Sequence, residues 1–241
     1  MNIIPVETVS STNSYLKELA NKQALEEGTL IVCDNQTAGR GQQGNTWESE
    51  AGKNITCSML LYPSFLPVWQ YFLLSKAVSL GVKETLDIYT DGITVKWPND
   101  IYYKDKKIAG ILIENELTGN EYKLSIVGIG ININQERFMS DAPNPVSLKQ
   151  ITGRNMDTEK LLKELAGNIL HRYEQLKGDN TEPIVRMYHE VLYHKTGFHY
   201  FEDKDGLFAA RIDGVSDDGF LHLVTDRDEE RSYAFKNVRF I

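Results

Sequence analysis

Three clusters in this chain set charged or polar side chains beside permissive backbone, and each could act on an anionic substrate. The first is Gln36-Thr37-Ala38-Gly39-Arg40-Gly41-Gln42-Gln43-Gly44-Asn45-Thr46-Trp47. Its glycines let backbone N–H groups approach a ligand closely. Arg40 offers a planar, permanently charged fork for a carboxylate or phosphate, and Trp47 can lie over a flat ring. The second is Lys96-Trp97-Pro98-Asn99-Asp100, followed by Lys107-Ile108-Ala109-Gly110. Pro98 ends a strand, Asn99 and Asp100 can hold a turn through side-chain bonds, and Gly110 in mid-strand marks close approach of a ligand or another backbone. The third is Val127-Gly128-Ile129-Gly130-Ile131-Asn132, where alternating glycines leave one strand face bare. Taken singly, each also reads as ordinary structure: a surface loop, a solvated hairpin, two sheet faces packed tightly.

The spacing Gly39-x-Gly41-x-x-Gly44 matches a dinucleotide fingerprint. That motif needs a helix opening at its last glycine and an acidic residue about 20 positions on. After Gly44 comes Asn45-Thr46-Trp47-Glu48-Ser49 and then another strand-like run, and the position 20 past Gly39 is Met59. The loop therefore joins two strands.

The elements that must position these clusters follow from periodicity. Ser10-Ser11-Thr12-Asn13 can cap a first helix carrying Tyr15, Leu16, Leu19 and Ala20 on one face. Strands at 29–35 and 54–62 bracket the glycine loop, and 67–86 is an apolar, largely buried helix. Strand 93–97 is followed by a hairpin of 101–103 and 107–114 around Lys104-Asp105-Lys106, and then by strand 122–133. Residues 139–156 read as a polar loop. Asp157 or Thr158 caps a helix ending near Gly178, and a further helix runs from Pro183 to Tyr193. From Thr196 only short strands remain, with Asp205-Gly206, Asp213-Gly214 and Asp218-Gly219 as turns. The fold class is α+β, a mixed central sheet with packed helices followed by a small all-β unit. The division expected is 1–194 and 195–241.

The net charge of −8 argues against a general nucleic-acid binder, though not against a local basic site. Cys33 and Cys57 lie in apolar strands and read as small core residues of a reduced protein. The five histidines show no zinc spacing with them. Met1-Asn2-Ile3-Ile4-Pro5 lacks the basic start and long apolar stretch of a secretory leader, so none is expected, and no window approaches the roughly 18–20 apolar residues of a membrane span; the cytoplasm is the expected location.

Taken together and in this order, the glycine-arginine-glycine loop, Lys-Trp-Pro-Asn-Asp, Lys-x-x-Gly and Gly-x-Gly-Ile-Asn resemble the biotin protein ligase family over essentially the whole chain. The resemblance implies a class II synthetase-like catalytic fold with a C-terminal SH3-like β-barrel. It implies a reaction in which biotin and Mg-ATP give biotinyl-5′-AMP, whose acyl group passes to a lysine of an apo biotin carboxyl carrier domain, as in acetyl-CoA carboxylase. By match to the family's motifs, Lys107 and Arg40 serve the activation step and Asp100 orients or deprotonates the acceptor lysine. Ser11, Thr12, Asn13, Gln36, Gly39, Arg40, Gly41, Lys107 and Gly110 take biotin. Arg40, Gln42, Trp47, Asn99, Lys107 and Asn132 take ATP and the adenylate. Cofactors are ATP and Mg2+, and the resemblance gives no metal ligands. Gln42 and Asn45 stand where many members carry basic residues, so weaker retention of the adenylate is expected. Ser11-Thr12 already belongs to the catalytic part, so sequence-specific DNA binding is not expected. The resemblance leaves a homodimer through sheet edges open.

Two other readings compete. Lipoate–protein ligase shares the fold and the adenylate chemistry, but the Lys-Trp-Pro-Asn-Asp block favours biotin. A binding module without catalysis has no need of both Arg40 and Lys107.

Overall fold

The structure is a computed structural model and describes residues 2–42, 44–139, 144–178 and 180–241. The chain opens with strand β1 (Ile3–Val9), helix α1 (Thr12–Lys22), β2 (Leu30–Gln36) and β3 (Ile55–Leu61). Helix α2 (Phe72–Asp87) follows a short 3-10 turn. Next come β4 (Ile93–Lys96), β5 (Asp100–Tyr103), β6 (Lys106–Thr118) and β7 (Glu121–Ile131), and then helices α3 (Leu148–Thr152), α4 (Thr158–Leu176) and α5 (Glu182–Glu190). These seven strands form one sheet in the order β1-β2-β3-β7-β6-β5-β4. β1 and β2 are parallel and every other pair is antiparallel.

Alternation along the strands decides where the site lies. In β3, Ile55, Cys57, Met59 and Leu61 face one side, and in β7 Val127, Ile129 and Ile131 face the same side. That side is covered by α2 and α4, whose Leu73, Val78, Val82, Leu86, Leu161, Ala166 and Ile169 are fully buried. Each such large side chain contributes roughly 1.5–3 kcal/mol by leaving water. The opposite side splits in two. At one end Leu16 of α1 packs on Ile31, Leu60, Leu124 and Ile126. Beyond that small cluster the same face carries Thr56 and Ser58 of β3, Gly128 and Gly130 of β7, and Gly110, Leu112 and Glu114 of β6. A sheet face made of glycine and small polar side chains next to an apolar one is a floor rather than a core.

β8 (His199–Asp203), β9 (Gly206–Val215), β10 (Leu221–Thr225), β11 (Glu230–Tyr233) and β12 (Arg239–Phe240) form an antiparallel sheet in the order β11-β10-β9-β8-β12. This is the all-β unit read after Thr196, with β11 and β12 at its two edges. It is fastened to α2 by Lys76, which is fully buried and donates to Val215 O (2.9 Å) and Asp217 Oδ1 (2.8 Å). Trp97 Nε1 donates to Gly219 O at 2.9 Å and ties the second cluster to the same unit.

Four local expectations change. The sequence reading omits β1, a half-exposed edge strand whose Pro5 an edge tolerates. The polar segment 139–156 contains α3, held by a capping box between Ser147 and Gln150; residues 140–143 of that segment lie outside the described ones. Asp213-Gly214 is not a turn. It lies inside β9, where the register against β10 shifts and Asp213 is the extra residue of a bulge. β6 runs to Thr118, four residues past the expected end.

Candidate active site

Over that floor lies a cavity of about 390 Å3, within the usual range for a small-molecule site. Its polar end is built by the start of α1. Ser11 is the N-cap residue, yet its side chain makes no capping bond. Ser11, Thr12 and Asn13 are instead buried against the sheet. Thr12 N donates to Gln36 Oε1 at 2.7 Å, and Ser58 Oγ stands 2.7 Å from Thr12 Oγ1 and 2.5 Å from Asn13 Oδ1. Asn13 Nδ2 donates to Leu112 O (3.2 Å) and Glu114 Oε2 (2.7 Å). Asn13 lies flat on Gly128, where a Cβ would come within 2.3 Å of its Oδ1.

The glycine loop folds back over the floor. Gly41 N donates to Asn45 O and Trp47 N to Gly39 O, and Arg40 bridges Thr46, so the loop is a small hairpin. It delivers the Trp47 indole onto the two remaining glycines. A Cβ on Gly130 would sit 2.2 Å from Trp47 Cε2, and one on Gly110 would sit 3.1 Å from Cζ3. The Trp47 indole N–H is buried and without a partner.

The charged wall comes from the second cluster. The Trp97–Pro98 peptide is cis, and Asn99 is tied to β6 twice, its O accepting from Ile111 N and its Nδ2 donating to Ile111 O at 2.7 Å. Lys107 Nζ lies 2.7 Å from Asp100 Oδ1 and 5.9 Å from the Trp47 ring. The Lys107 backbone is pinned by residues 144–146, since its N donates to Asn144 O and its O accepts from Val146 N. Arg40 NH2 reaches Glu114 Oε2 at 3.1 Å and Ser14 Oγ at 3.2 Å. Lys96 Nζ donates to Tyr102 OH at 3.1 Å and faces the Tyr102 and Phe240 rings. Burial holds its ammonium below the usual lysine range. Lys107 nearby adds to that, and Asp100 opposes it.

The arrangement offers a polar end with hydrogen-bonding side chains, a flat aromatic surface over bare backbone, and two cations beside carboxylates. Residues 6–132 match the model of the Biotin/lipoate A/B protein ligase family. The chain belongs to this family. It is 31% identical to the bifunctional ligase/repressor BirA of Bacillus subtilis, over 97% of this chain and 72% of that protein. It is 30% identical to the biotin–[acetyl-CoA-carboxylase] ligase of Mycobacterium tuberculosis, over 68% of this chain and 63% of that one. Its fold superposes on the biotin protein ligase of Aquifex aeolicus in complex with biotin and ATP with a TM-score of 0.81 and 27% identity, covering 100% and 99% of the two chains.

Against this family background, Ser11, Thr12, Asn13, Gln36, Arg40, Gly41, Gln42, Trp47, Asn99, Asp100, Lys107 and Gly110 all line the one cavity. Gly39 and Asn132 do not. Gly39 forms a rung of the loop hairpin, its Cβ position 2.5 Å from Trp47 O. Asn132 is buried behind the wall, with Nδ2 on Val146 O and Oδ1 without a partner. Asn13 lines the cavity, but its amide is engaged on both ends.

Sequence reasoning missed several residues. Glu114 was findable, because it continues the face of Gly110 along β6 at a period of two, and Ser58 sits opposite Gly128 on the neighbouring strand β3. Phe235, Lys236, Arg239 and Phe240 line the cavity itself. They come from the second sheet, and nothing local in their sequence says where that sheet docks. Cys57 is inert, its thiol pushed up to about 12 by burial.

Proposed function

We propose that this protein activates biotin with ATP to biotinyl-5′-AMP and transfers the acyl group to a lysine of a biotin carboxyl carrier domain. The observation that carries this reading is the meeting of Arg40, Lys107 and Asp100 with the Ser11–Thr12–Gln36 cluster in one cavity. In the first step a carboxylate oxygen of biotin bonds to the α-phosphorus and pyrophosphate leaves. Two anions must meet, so cations placed at that point lower the barrier, and removing one such group costs on the order of 10²–10³ in kcat. Lys107 and Arg40 fill this role. In the second step the acceptor lysine's amine attacks the acyl carbon, AMP leaves with the bridging oxygen, and Asp100 takes the amine's proton.

Thr12, Ser11 and Gln36 are the end suited to a ureido ring, which presents both donors and an acceptor. Trp47 lies where a planar base or ring can rest, with Gln42 and Asn99 at the same wall. A Mg2+ carried on the triphosphate would supply neutralisation of the phosphate charge beside Lys107 and Arg40. Among the described residues there is no group of three or more His, Cys, Asp or Glu side chains placed to hold a metal ion. No helix among the described residues is long and apolar enough to cross a membrane.

The test is ATP–pyrophosphate exchange with biotin and with lipoate, followed by mass spectrometry of a carrier domain incubated with biotin, Mg-ATP and the protein. Exchange with lipoate and none with biotin would reverse the assignment.

A further inference from the structure

Glu114 stands on the floor side of β6, two strand steps from Leu112 and four from Gly110. One of its oxygens, Oε2, receives both Asn13 Nδ2 at 2.7 Å and Arg40 NH2 at 3.1 Å. Ser14 on α1 completes the seat of the guanidinium at 3.2 Å. Arg40 is thus drawn toward α1 and β6, while Lys107 is engaged by Asp100 across the cavity. The guanidinium is still 46% exposed and its carboxylate 39%. A contact this open is held weakly, and a competing anion with two oxygens can take it over.

We propose that Glu114 is a positioning residue for the activation step: it latches the glycine loop through Arg40 in the ligand-free chain and yields the guanidinium to the substrate's anionic group. The inference rests on the activation reaction assigned above. The chemistry that opens the latch is an oxyanion, either the carboxylate of biotin or a phosphate of ATP. Asn13 stays behind on Glu114 when Arg40 leaves, so the carboxylate keeps a donor and the floor is not disturbed.

Glu114→Gln tests this. The amide oxygen still accepts from Asn13, and only the charge facing Arg40 is lost. Limited trypsinolysis at Arg40 reads the latch without turnover. In the ligand-free protein the variant should be cut roughly two- to fivefold faster than wild type, the range expected for losing an exposed ion pair. The gap should shrink at high salt. With saturating biotin and Mg-ATP the two proteins should be cut at the same slow rate. Biotin alone and ATP alone, run as separate arms, identify which oxyanion opens the latch. In pyrophosphate exchange the same variant should show a KM for the ligand that opens the latch lowered by a similar factor, with a smaller change in kcat. Glu114→Asp, which keeps the charge, should bring cleavage back toward the wild-type rate. Equal cleavage of variant and wild type without ligand overturns the latch. So does faster cleavage of the variant both with and without ligand, which would make Glu114 a plain brace. If wild type shows no biotin-dependent exchange, it is the activation reaction that fails, and the ligand-free cleavage rates still stand.

Discussion

Gly130→Ala is a single-methyl perturbation aimed at the base of the cavity. The added Cβ would lie 2.2 Å from Trp47 Cε2 and 2.5 Å from Cζ2 and Nε1. Ordinary carbon contacts are about 3.5–4.0 Å, so the indole must lift by more than about 1 Å. It has little room to slide sideways, because Gly110 already holds its other edge at 3.1 Å and the Trp47 backbone N–H is bonded to Gly39 O. The ring must swing toward the cavity mouth. Overpacking costs roughly 1–3 kcal/mol if the ring stays and less if it leaves. Because Ile129 and Ile131 on the core side are untouched, global stability should fall by about 1 kcal/mol at most, or roughly 2–4 °C in Tm. The ligand effect should be larger. An aromatic platform under a base contributes about 1–3 kcal/mol, so the KM for ATP in pyrophosphate exchange should rise roughly 5- to 150-fold. Emission from Trp47 should shift to the red in a Trp69→Phe background, since Trp69 is the strongly exposed tryptophan and Trp97 is buried. Native emission with a native KM would refute the placement of the indole. A large loss of Tm with an unchanged KM would leave Trp47 a packing residue only.

Three further outcomes can be measured. Gln42→Arg should slow dissociation of biotinyl-5′-AMP, followed by chase; an unchanged half-life would show that the loop's missing charge is not what sets retention. Lys76→Met should lower stability by about 1–3 kcal/mol, because Val215 O and Asp217 lose their buried donor while Asp217 keeps partial access to water; a differential scanning melt reads it. His194 is stacked between the Tyr193 and His199 rings at 3.8 Å, and burial, reinforced by His199, lowers its pKa to about 4. The unfolded chain therefore binds the extra proton first. Stability from this group is present above about pH 6.5 and is lost as pH falls toward about 4. The urea midpoint of His194→Phe, which keeps the stack, should vary less over that window than that of wild type.

Much of this site is legible in the sequence because strand period and motif coincide. Gly128 and Gly130 alternate with isoleucines, so one face had to be bare, and the structure places Asn13 and Trp47 on it. Lys107 and Asp100 sit at facing ends of a tight hairpin and meet at 2.7 Å. What the sequence hides is long-range or marginal. β1 is half exposed and shows no clean alternation. The bulge at Asp213 is indistinguishable from a turn until its partner strand is known. Asn132 follows the strand motif, but whether its amide faces the cavity or Val146 depends on how the segment bearing α3 returns over β7. The contribution of Phe235, Arg239 and Phe240 depends on the docking of a second sheet through Lys76 and Trp97, contacts more than a hundred residues apart in sequence.

The charge pairing of the cavity bears on how it selects its ligands. Arg40 faces Glu114, Lys107 faces Asp100, and Arg239 pairs with Glu202. A substrate anion entering such a site exchanges one ion pair for another, and the net electrostatic gain is small. A simple oxyanion that brings only charge gains little there. A ligand that also fills the polar end at Thr12 and Gln36 and covers the apolar surface of Trp47 gains from contacts that carry no such exchange. If Lys107 and Asp100 have the roles proposed above, the pairing would also order the two steps: Asp100 is engaged while Lys107 holds it at 2.7 Å, and a Lys107 turned to a phosphate would release the carboxylate for the transfer step.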